Sequence, residues 1–203
     1  MGAYLRQIPR RLRAEESGFT LIELMMAVAL LSVVLGAVLS LSHTGSRVAE
    51  RDLVRAAAIE EIQTGIARMD RELRTAVEVV TPTGATPGNS VDFVANVSQA
   101  GGGRALRRVR YACDSPSPTI PSLQACYRYE GAMGGTPAGT GELVIDQLTN
   151  GTATNPVFTG NAAPPTYFSI HLERSAKGTL PDGHDYSITH DHGVYLRAVD
   201  GNL

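Results

Sequence analysis

The chain has no tryptophan, few aromatic residues (5%) and a single lysine, Lys177, among its 203 residues. Scarce aromatics exclude a large ring-dominated core and leave small apolar side chains to supply most of the burial. Nearly all the cationic residues are arginine, a bias that follows from GC-rich coding and needs no functional cause. Formal net charge is -2, so no excess of positive charge calls for nucleic acid as the main partner. The basic stretch ALRRVR at 105–110 alternates and reads as a strand. Catalytic signatures are missing as well: there is no G-x-S-x-G elbow, P-loop or G-x-G-x-x-G. Gly101, Gly102 and Gly103 read as a hairpin turn and not a phosphate cradle. The expectation is therefore a non-enzymatic chain without a cofactor.

Proline is absent between Pro9 and Pro82, which permits one uninterrupted helix across that interval. Within it, Glu23 is the only formally charged residue from Phe19 to Ser42. About 24 helical residues at 1.5 Å each cover roughly 36 Å, enough to cross a bilayer core. Arg6, Arg10, Arg11 and Arg13 precede the run and mark a cytoplasmic flank. SLSHTGS after the run offers no small-residue cleavage pattern, so the run is expected to stay in the membrane. Further on, Ile59, Ile62, Ile66, Met69, Leu73 and Ala76 recur at steps of three and four, while Glu60, Arg68, Asp70, Arg71, Glu72 and Arg74 fall between them. That narrow stripe needs a covering surface, supplied by the domain's own sheet or by neighbouring helices.

After TPTGATPG at 81–88 the periodicity becomes strand-like. Expected strands are Val91–Val97, Ala105–Cys113, Gln124–Glu130, Glu142–Leu148, Tyr167–Glu173 and Gly193–Val199, in a meander broken by Gly-, Pro- and Asn-rich turns. The domain reading is residues 1–18 as a basic leader, 19–80 as a long helix with its first part, 19–42, in the membrane, and 81–203 as a β-rich domain outside. The fold class is α+β, with the helix packed on an antiparallel sheet. Cys113 and Cys126 are the only cysteines and flank a Pro/Ser loop. A disulfide closing that loop would contribute roughly 3 kcal/mol; the alternative is two free thiols in a reducing compartment. Asp182, His184, Asp185, His190, Asp191 and His192 crowd one stretch, but their spacing matches neither an EF-hand nor a helical zinc motif. They read as a solvated turn entering the last strand, with no metal.

Glu23 is the unexplained residue. A carboxylate in hydrocarbon costs several kcal/mol unless paired, and no cation lies within the run. Snorkelling to the interface, a partner protein, or an amine freshly made by proteolysis nearby could each satisfy it.

GFTLIELMMAVALL resembles the processing site and hydrophobic N-terminus of type IV prepilins and type II secretion pseudopilins. In that family a prepilin peptidase cuts after the glycine and methylates the new amine. The resemblance implies cleavage between Gly18 and Phe19, N-methylation of Phe19, and a pairing of Glu23 with the terminal amine of a neighbouring subunit. Glu15 and Glu16, next to the cut, depart from the basic residues expected there. The order of RMDRELRTAVEVV, RRVRYAC, CYRYEG, IDQLTNGTATNPVFTG and GVYLRAV is similar to that in J-type minor pseudopilins and W-type minor pilins. The implied partners are prepilin peptidase, other pilin or pseudopilin subunits, an inner-membrane assembly platform and the membrane itself. The implied location is the cytoplasmic membrane, N-terminus inside, and then an extracytoplasmic filament. The reading from a different class is an unprocessed single-pass membrane protein with an extracytoplasmic binding domain.

Overall fold

A computed structural model describes residues 18–82, 84–99, 101–175 and 187–196, the side chain of Arg47 aside. It contains one helix, α1 (Leu21–Arg74), followed by eight strands: β1 (Ala76–Thr81), β2 (Ser90–Ser98), β3 (Arg104–Pro116), β4 (Gln124–Gly131), β5 (Glu142–Leu148), β6 (Phe158–Gly160), β7 (Tyr167–Ser175) and β8 (Ser187–Tyr195). The chain divides into two compact units between Arg47 and Val48. The expected class, a long apolar N-terminal helix followed by an antiparallel sheet in the manner of type IV pilins, is the one observed.

In the first unit every described side chain from Gly18 to Ser46 is exposed. The most apolar 18-residue window of α1 reaches a mean hydropathy of 2.6, and none of it is buried within the chain. Length and composition therefore make this helix a candidate membrane span.

In the second unit α1 lies on one face of the sheet. Ala58, Ile62, Ile66, Met69 and Leu73 are buried on the helix, and Ala76 just beyond it. Ile59, expected on the stripe, is only half-buried. The covering surface is the domain's own sheet: the helix residues share a core with Val91, Phe93, Val109, Tyr111, Ile145, Leu148, Phe168, Ile170 and Leu172. Each large side chain buried there is worth about 1.5–3 kcal/mol relative to exposure. Helix and sheet approach closely at Gly65, where a Cβ would fall 2.5 Å from the Ile145 side chain.

The helix ends at Arg74, not at residue 80 as the uninterrupted proline-free interval implied. Thr75 closes it, its hydroxyl and its N–H both donating to the Glu72 carbonyl. AVEVVT then follows as β1, where valine and threonine pack better on a pleated surface than in a helix. The meander holds from β1 through β5, each strand antiparallel to the next. Beyond it the order changes: β7 joins β5 through a single pair, Leu148 with Arg174, and also pairs with β6 and β8. The last strand starts at Ser187, six residues before its expected start at Gly193. His190, Asp191 and His192 therefore lie in a strand and not in a turn. Residues 197–199, expected in that strand, lie outside the described residues.

Cys113 and Cys126 form a disulfide between β3 and β4. The loop it encloses is held by Ser117, whose hydroxyl accepts the N–H groups of Thr119 and Ile120. Gly151 makes the nearby turn possible, with φ +87° and a position at which any Cβ would sit 2.1 Å from the Cys113 carbonyl oxygen.

Candidate functional site

Gly18 and Phe19 precede α1 in non-helical backbone. Nothing lies within 4 Å of a Cβ built on Gly18, and Phe19 is 79% exposed. Thr20 is the cap: its hydroxyl and its carbonyl both accept the Glu23 N–H, at 3.3 and 3.0 Å. T-L-I-E thus has the spacing of a capping box, with an acid in the first turn where the helix dipole favours negative charge. This cap at Thr20 is missed when the segment is read only for its hydropathy, although the spacing is visible in the sequence. Among the described residues the Glu23 carboxylate has no cationic partner. An exposed glycine in non-helical backbone, five residues before an acid without a cationic partner among the described residues, leaves both available to other molecules.

The other expected residues fall elsewhere. Cys113 and Cys126 serve the β domain. Asp182, His184 and Asp185 lie outside the described residues. His190, Asp191 and His192 form no shared site: His192 reaches Asp70 on α1 at 2.9 Å, whereas Asp191 faces His171. Among the described residues no group of three or more possible metal ligands occurs.

The polar residues between the stripe positions of α1 turn out to fasten it to the sheet. Glu72 accepts from Tyr111 Oη at 2.8 Å and from Arg128 Nε at 2.9 Å. Burial and then the Glu72 charge push the Tyr111 hydroxyl far up. Burial opposes the charge on Arg128, but Glu72 and Glu130 outweigh it and hold the guanidinium above its ordinary range. Arg68 grips Glu142 with two bonds of 2.6 and 2.7 Å, which hold that carboxyl below its ordinary value. At Asp70 burial alone would raise the carboxyl, yet Arg74 and His192 together bring it below the ordinary value. Glu61 accepts the Asp146 N–H and the Arg174 guanidinium at 2.7 and 2.6 Å. The partners that join α1 to the sheet lie 39 to 122 residues apart in sequence, so no local pattern announces them.

Taken together, an exposed apolar helix long enough to cross a bilayer, an acid in its first turn and a disulfide-closed β domain later in the chain are consistent with membrane anchoring. Residues 13–39 match the model of the prokaryotic N-terminal methylation motif, the type found in type IV pilins. No curated protein matches the chain, and no solved structure does either.

Proposed function

We propose that this chain is a minor pilin or pseudopilin, a structural subunit or assembly initiator of a type IV pilus-like or type II secretion filament, and not an enzyme. The observation that carries the reading is the methylation motif at residues 13–39 coinciding with an exposed apolar helix whose acid, Glu23, is unpaired. Prepilin peptidase cuts between Gly18 and Phe19 and methylates the Phe19 amine. The amine of a neighbouring subunit then neutralises Glu23, and because an ion pair of this kind forms only in the assembled position, it specifies stagger more than it adds stability. Residues 1–18 are lost, 19–42 stay in the cytoplasmic membrane until an assembly platform extracts them, and the disulfide-bonded domain stands outside. The order of segments in the β domain supports the J-type or W-type minor subunit.

Processing and pairing are tested separately. Mass spectrometry of the membrane-extracted protein is expected to find a chain starting at Phe19 with one extra methyl group, and Gly18→Val is expected to retain residues 1–18. Retention of residues 1–18 by the unaltered chain in a peptidase-positive host would instead support the unprocessed single-pass reading. Glu23→Ala is expected to be processed yet left out of filaments; normal incorporation would remove the pairing.

A further inference from the structure

His171 on β7 is directly opposite Asp191 on β8, and Glu173 follows two residues along on the same face of the strand. Its Nδ1 lies 2.5 Å from Asp191 Oδ1 and its Nε2 lies 3.0 Å from Glu173 Oε1. Ionised carboxylates only accept hydrogen bonds, so a ring bonded to both must donate from both nitrogens. Only the imidazolium can do so. The neutral ring has one N–H, and its other nitrogen would turn a lone pair toward the second carboxylate.

Among the described residues, no competing charge is recorded at His171. Thr149 and Asn155 reach Glu173, and both are neutral. From β8 the charged neighbour is Asp191, and from β7 it is Glu173. His192 lies on the opposite face of β8, where it meets Asp70, which Arg74 also holds. Strand β8 is an edge strand, joined to β7 along its length. It pairs with β7, and among the described strands with no other. Val194 is its one buried side chain. Edge segments with few buried side chains open at lower free energy than the core, so an interstrand bridge contributes visibly to their protection.

We propose that His171 is a proton-operated latch, which in its charged form ties Asp191 and Glu173 together and fastens β8 to β7, and on losing its proton releases one carboxylate and loosens the strand. Asp191 and then Glu173 raise the imidazole above its ordinary value of 6.5. A raised cationic group contributes fully below its unfolded value and loses that contribution as pH climbs through the folded one. On the acid side Glu173, lowered from 4.5 mainly by His171, keeps its part until the pH falls through its own folded value. The latch is thus closed in mild acid.

Hydrogen exchange of the full chain in detergent tests this, read over peptides from 187–195 and corrected for intrinsic rates. Protection of β8 is expected to fall as the pH rises from about 6.5 through the folded value of His171, roughly tenfold for each unit by which that value exceeds 6.5, while β4 stays constant. His171→Gln is expected to give a flat profile at the loose level, and Asp191→Asn a shallower one. Should His171→Gln not fold, imidazole NMR of the unaltered chain still decides, with a titration midpoint above 6.5 expected. A midpoint at or below 6.5, a flat profile for the unaltered chain, or an undiminished profile in His171→Gln would overturn the latch.

Discussion

The two halves of α1 share one hydrogen-bonded backbone and have opposite surroundings. From Leu21 to Arg47 the described side chains face outward, with Leu31 58% exposed, whereas from Val48 to Arg74 a stripe ending in Leu73 is wholly buried. Backbone continuity follows from what is missing, since no proline interrupts either half. Surroundings follow from the distribution of apolar residues. A helix apolar all round seeks lipid or other helices, and one apolar along a single stripe seeks a sheet. The comparison teaches that the boundary between the exposed apolar segment and the domain lies inside a helix, at a change of pattern and not at a break in structure.

Leucine truncation in the two halves should separate them most widely. Leu73→Ala is expected to destabilise the β domain by about 3 kcal/mol through lost burial and a cavity, read by chemical denaturation of the full chain in detergent. Next comes Glu72→Gln, which weakens the acceptor shared by Tyr111 and Arg128; the same measurement should show a loss of about 2 kcal/mol. Glu142→Gln removes an exposed pair with Arg68 and should cost under about 1 kcal/mol. Because the Glu142 carboxyl is lowered from 4.5, its contribution exists above that value and fades as pH falls through the folded one. The gap between Glu142→Gln and the unaltered chain should therefore close between about pH 6 and about pH 3. Leu31→Ala comes last, with no expected change in the domain's denaturation midpoint. A shift as large as that of Leu73→Ala would show that the first half is buried by the domain after all.

Much of this was legible from short-range pattern. Stripe residues Ile62, Ile66, Met69 and Leu73, the strands between 91 and 148, and the Gly18, Phe19 and Glu23 signature each declare themselves within a few neighbours. The helix end did not, because absence of proline permits a helix without requiring one, and Val77, Val79 and Val80 prefer the sheet beside β2. Strand β6 is only three residues long and alternates too briefly to read. His190, Asp191 and His192 look like a turn by polarity, yet they fit a strand whose polar side chains are met on one face by His171 and on the other by Asp70. Only the folded chain brings those partners near.

Glu61 has a consequence for how errors are excluded. Its carboxylate meets a backbone N–H of β5 and a guanidinium of β7 at once, so it inspects two strands that touch each other at one pair only. If β5 slipped by one residue, its side chains would exchange faces, Glu61 would lose the Asp146 N–H, and the buried Arg174 would lose the Asp146 carbonyl it also donates to. Such a misthreaded sheet carries lost hydrogen bonds at a carboxylate and a buried guanidinium as its penalty, and α1 acts as the gauge against which the far strands are checked.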